Sequence, residues 1–137
     1  MAEIVKIRVP HDVVTLEVNE KGETITLPVS DERFTQKLMT FATEAQERAE
    51  SVKNVSDSTD IMEVVDSNLE FLDYLRTEFD VLFGEGAYEK VYGPDILIGA
   101  DYILEFLDQI LPYIQKSMEK RATKLNKYNA NRVGTSY

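Results

Sequence analysis

The chain lacks cysteine and tryptophan, has one histidine, and contains no apolar run approaching 18 residues. Without thiols, disulfides, thiol catalysis and cysteine-ligated metals are excluded. No basic stretch followed by an apolar one marks a signal peptide, and no segment is apolar long enough to span a bilayer, so a cytoplasmic protein without a membrane partner is expected. His11 sits in the turn signal Pro10-His11-Asp12 with no orienting group or nucleophile that the sequence pairs with it, so it reads as a surface turn residue. Basic residues are also scarce, 15 against 25 acidic, for a net charge of −10.

That charge is unevenly spread. Residues 1–115 hold 9 basic and 24 acidic side chains, net −15, whereas residues 116–137 hold 6 and 1, net +5. Phosphate contacts need a concentrated basic face, so an acidic body argues against duplex nucleic acid as the main ligand, and no nucleic-acid partner is expected. Asp57, Asp60, Glu63 and Asp66 offer oxygen ligands to a divalent cation but miss the calcium-loop spacing and its glycine, and helix capping explains them better. Gly84-Glu85-Gly86 superficially has the form of a phosphate-binding turn. It follows a helical pattern rather than a strand, and the third glycine and the phosphate-loop lysine are missing. No catalytic, metal or cofactor constellation emerges, and the chain reads as a non-enzyme.

What is present describes an ordinary globule. With 137 residues, 43% hydrophobic and 29% charged, one domain with a sizeable core is expected. Residues 4–9 alternate as a strand, with Val5, Ile7 and Val9 on one side and Lys6 and Arg8 on the other. Residues 13–18 alternate again through Val14, Leu16 and Val18. Asn19-Glu20-Lys21-Gly22 suits a hairpin loop, and residues 23–29 return with Ile25, Leu27 and Val29 on one face until Pro28 stops the ladder.

At Ser30 the period changes from two to 3.6. Ser30 is the expected N-cap, followed by a stripe of Phe34, Leu38, Phe41, Ala42, Ala45, Ala49 and Val52. The cap cluster at residues 56–60 opens a second helix with the stripe Ile61, Val65, Leu69, Leu72, Leu75, Phe79 and Leu82. Val64, Phe71, Tyr74 and Val81 form a second stripe, a wider apolar arc than one neighbour covers. A third helix is expected to open at Pro94-Asp95 and to carry Ile96, Ala100, Ile103, Leu107, Ile110, Ile114 and Met118. Pro112 should kink or break it by removing a ladder bond to Asp108. The resulting fold is α+β and mainly helical, with a small antiparallel sheet (a hairpin or three strands) on three main helices. Residues 1–128 form one domain, strands over 1–29 and helices over 30–128, and 129–137 form a disordered tail.

Between the last two helices, residues 83–93 carry three of the six glycines together with Phe83, Tyr88, Val91 and Tyr92. Gly84 and Gly86 suit the φ > 0 backbone that ends a helix and turns the chain. A mere linker would not need the aromatic load. The opening hairpin over 14–29, its run into Ser30-Asp31-Glu32-Arg33-Phe34, and above all Phe83-Gly84-Glu85-Gly86 with Lys90-Val91-Tyr92-Gly93 between two long helices resemble the tail assembly chaperones of long-tailed, siphovirus-type phages and prophages of Gram-positive bacteria. The resemblance covers most of residues 14–111. It implies a small acidic protein of the host cytoplasm that binds the tape measure protein, keeps it soluble and helps recruit tail tube protein during tail morphogenesis. Family members are commonly also made as a longer frameshifted product. A different phage or bacterial interaction module, an adaptor or regulator without catalysis, is the alternative.

Either way the function expected is protein binding, with self-association into a homo-oligomer also open. Val64, Phe71, Tyr74, Val81, Tyr88 and Tyr92 are the expected apolar wall for a partner, placed on the face between the second and third helices and on their connector. Lys116, Lys120, Arg121 and Lys124 are expected to guide an acidic stretch of that partner.

Overall fold

The computed structural model describes residues 2–50 and 60–134. Its elements are strands β1 (Val14–Glu17) and β2 (Thr24–Leu27), then helices α1 (Glu32–Ala49), α2 (Ile61–Phe83), α3 (Ala87–Tyr92) and α4 (Ala100–Gly134). The fold is mainly helical α+β, as expected, with a short fourth helix in the connector.

The hairpin forms where the alternation places it. Val14 pairs with Leu27, Leu16 with Ile25 and Glu17 with Thr24. Asn19 organises the turn, its Oδ1 accepting from the Lys21 and Glu23 N–H groups at 3.0 and 3.2 Å. Pro28 lies just past the last paired residue, as a residue without an N–H should. Ile25, Leu27 and Val29 are buried beneath it.

The strand expected over residues 4–9 does not form, so the sheet has two strands. Residues 2–13 carry no strand or helix, and Ile4, Val5, Ile7 and Val9 are 89, 69, 80 and 80% exposed. Alternation alone makes a segment fit for a ladder; it supplies neither the neighbour nor the cover that a strand needs.

Asp31, not Ser30, caps α1, its carboxylate accepting from the Arg33 N–H at 2.9 Å. The Ser30 hydroxyl is committed elsewhere and donates to the Asp12 carbonyl at 3.2 Å. Phe34, Leu38, Phe41 and Ala45 are buried, with Ala42 and Ala49 half-buried beside them; Val52 lies outside the described residues. In α2 only the second half of the expected stripe is core. Leu75 and Phe79 are fully buried, whereas Ile61, Val65 and Leu69 are exposed: in this half of α2 the buried side is the one that carries Asn68, against α1.

Helix α4 begins at Ala100, six residues after Pro94, and Ile96 is left 41% exposed. Asp95 takes a positive φ of 53°, which turns the chain before α4 and which Asp tolerates better than most residues. The helix runs through Pro112 without a break, and past residue 128 to Gly134. Pro112 faces solvent, while Ile110 and Ile114 on either side are buried. Packing on that inner face holds the helix where one ladder bond is missing. Beyond Arg121 every residue through Ala130 is exposed, so α4 outruns the body that it packs on.

The core centres on Phe79. Its ring lies 6.2 Å from Phe41 of α1, 4.7 Å from Phe83, 5.6 and 5.9 Å from Tyr88 and Tyr92 of α3, and 5.3 Å from Phe106 of α4. Tilted and edge-to-face arrangements of this kind add to what area burial contributes. Phe79→Ala should therefore destabilise the protein by about 3–5 kcal/mol, read as a lower denaturant midpoint in chemical unfolding. A loss under about 1 kcal/mol would contradict this account of the core.

Candidate functional site

The connector is built as a clasp. α2 ends at Gly84, whose φ of 112° and ψ of 153° are open essentially to glycine alone. Its N–H still reaches the Asp80 carbonyl at 2.8 Å, and the Asp80 carboxylate accepts from the N–H groups of Gly86 at 3.3 Å and Tyr88 at 2.9 Å. One side chain thus satisfies the first donors of α3, which has no side-chain cap of its own. Asn19 of the hairpin donates through Nδ2 to the Lys90 carbonyl at 3.0 Å, and Lys90 Nζ returns to the Thr24 carbonyl at 3.2 Å. α3 is thereby tied to α2 and to the hairpin together.

Burial takes Tyr88 out of the expected partner wall, whereas Tyr92 is drawn in only partly. Tyr88 is 3% exposed, and its hydroxyl accepts from the Ile98 N–H at 2.7 Å. Tyr92 is half-buried and donates to the Tyr102 carbonyl at 3.0 Å. The rings lie 5.0 Å apart with Phe79 behind both. Burial raises both phenols above the usual tyrosine range. For Tyr88 the Ile98 hydrogen bond and Arg76 oppose that rise, and for Tyr92 the neighbouring Tyr88 and Glu105 add to it.

The other wall residues divide. Val64 and Phe71 are half-buried on the side facing α1, where the Arg48 guanidinium stacks over the Phe71 ring at 4.2 Å and donates to Asn68 Oδ1 at 3.0 Å. Tyr74 and Val81 remain open, 43 and 65% exposed, seven residues apart on one line of the helix. Val81 sits on the ridge between two grooves. One, of about 240 Å³, runs between α1 and α2 past Thr40, Glu44, Tyr74 and Glu78. The other, of about 640 Å³, lies between α2 and the connector and is lined by Arg76, Glu85, Glu89, Asp95 and Ile96. Tyr74, Val81 and Ile96 make an apolar band with acidic rims.

The basic residues of α4 are partly spent within the chain. Lys120 pairs with Asp12 at 3.5 Å and Arg121 with Glu32, which fastens α4 to the base of the hairpin and the start of α1. Lys116 and Lys124 are exposed. Sequence reasoning missed Asp80 and Asn19, whose roles depend on distant backbone. It also missed that Ile61, Met62, Val65 and Leu69 lie open, at 65, 64, 43 and 43%.

The described residues hold no group of three or more His, Asp or Glu placed to bind a metal, and no buried side-chain polar atom without a partner. Asp60 caps α2 by accepting from the Met62 and Glu63 N–H groups, and Asp57 lies outside the described residues. His11 is exposed. No described helix is long and apolar enough to cross a membrane.

Two outcomes follow from the clasp. Asp80→Ala should cost about 1–3 kcal/mol by orphaning two backbone donors, measured by denaturant unfolding; no change would show that water replaces the carboxylate. The second concerns pH. A phenol whose folded-state pKa exceeds its unfolded value near 10 releases its proton first in the unfolded chain. The stability it confers is complete below about pH 10 and is lost as pH rises further. The melting temperature should fall above that pH, and Tyr88→Phe with Tyr92→Phe should flatten the fall.

No curated protein and no solved structure matches the chain. One family model does, over residues 21–135, from β2 and its turn to the end of α4. By that match over most of its length, the chain belongs to DUF6673, a family of unknown function.

Proposed function

We propose that this protein is a binding protein without catalysis, a tail assembly chaperone that holds a helical segment of a tape measure protein and helps recruit tail tube protein in the cytoplasm of an infected cell. The resemblance of the hairpin and of Phe83-Gly84-Glu85-Gly86 motivates the choice of client. The observation that carries the binding mode is Val81, a valine 65% exposed on the ridge between two grooves and in line with exposed Tyr74. Apolar side chains left together on a protein surface commonly mark a partner site.

An amphipathic helix laid along this band would place its apolar face on Tyr74, Val81 and Ile96. The rim above them carries Glu78, Glu85, Glu89 and Asp95, which favours basic residues on the flanks of the client helix. Lys116 and Lys124, on α4, remain for acidic stretches of the client. The acidic body also favours solubility while the chaperone is unloaded.

Val81→Lys tests the reading. An exposed helical site tolerates lysine, so stability should change by no more than about 0.5 kcal/mol. Co-expressed with the tape measure protein, the unchanged chain should keep that client soluble and co-purify with it. The variant should bind at least about tenfold more weakly, roughly 1.4 kcal/mol. Equal capture by both proteins would remove the ridge from the site, and no capture by either would remove the client.

A further inference from the structure

The hairpin has an open edge, and the chain carries an unused strand. In an antiparallel ladder alternate residues bond to opposite sides. The Val18 N–H donates to the Glu23 carbonyl at 3.0 Å, which sets the phase: Val14, Leu16 and Val18 bond toward β2. Thr15 and Glu17 therefore turn their N–H and C=O groups to the free side of β1. A groove of about 360 Å³ borders that side, floored by Leu16, Val18, Val91, Phe106 and Ile110 and flanked by Tyr113.

The arm over residues 4–9 has the complementary pattern. Placed antiparallel to β1 with Ile7 opposite Leu16, it would set Val5 and Val9 beside Val18 and Val14, all toward the groove, whose lining also includes Glu17 and Gln109. The same register puts Lys6 opposite Glu17 and Arg8 opposite Thr15 on the solvent side, an oppositely charged cross-strand pair. Pro10 then falls where the ladder must stop.

The arm does not lie on its own β1, and the ties at Asp12 explain why. The Asp12 carbonyl accepts from Ser30 and its carboxylate pairs with Lys120, so Asp12 continues the line of β1 past Val14. In the register above, pairing Val9 with Val14 within one copy would make residues 10–13 the loop, and closing that loop would pull Asp12 off both ties.

We propose that the arm of one copy adds as a third strand to the free edge of β1 in a second copy, reciprocally, giving a strand-exchanged dimer. The interface lies on the β1 and α4 side of the molecule, apart from the Val81 ridge, so the dimer stands or falls independently of the client.

Light scattering at tens of micromolar protein tests it. The unchanged chain should run as a dimer. Ile7→Asp, at a side chain 80% exposed within one copy, should weaken the dimer at least about tenfold without altering the helical circular dichroism. Thr15→Pro should do the same, because it removes an edge N–H that β2 does not use. If Thr15→Pro fails to fold, Ile7→Asp decides alone. A monomeric unchanged chain overturns the proposal, and so does a dimer that survives Ile7→Asp.

Discussion

The fold depends on one buried ring. Phe79 meets aromatic side chains from all four helices, since Phe83 shares its own helix and Phe41, Tyr88, Tyr92 and Phe106 come from the other three. Flat rings that pack at steep angles leave little freedom for one helix to slide past another. The dependence is sharpest for α3. Six residues are too few to hold a helix in water, so it exists through its contacts: two rings against Phe79, the Asp80 carboxylate on its first donors, and Asn19 on a carbonyl in its last turn.

Charge is organised around the same frame. Lys120 and Arg121, at the inner end of the basic segment, pair with acidic residues of the body and bring the base of the hairpin, the start of α1 and α4 together. Exposed pairs of this kind contribute at most about 1 kcal/mol each, so they direct the assembly more than they stabilise it. The carboxylates left unpaired around the α2 ridge give that surface its acidic rim.

Much of the fold was legible from residue order. Period-two alternation located the hairpin, Pro28 its end, and the 3.6-residue period located α1, α2 and the buried face of α4 through Ile103, Leu107, Ile110 and Ile114. The glycine-rich connector was equally plain, with Gly84 and Gly86 at positive φ. The candidate site was only half legible. Val81 and Tyr74 lie open, but Tyr88 is core and Tyr92 is half-buried against it, because an aromatic beside a glycine turn reads the same whether it faces solvent or folds inward.

Local chemistry therefore determined the elements: backbone freedom at glycine, the missing N–H of proline, and the spacing of apolar side chains. Only the tertiary structure decided how each element is used. Residues 4–9 have the pattern of a strand and pair with no described strand. Ile61, Val65 and Leu69 have the pattern of a core and lie exposed among the described residues. Pro112 has the character of a breaker, and Ile110 and Ile114 are packed too well on either side of it for the helix to break. Each outcome turns on what lies opposite in space, and a one-dimensional pattern specifies the face a residue belongs to without specifying what covers it.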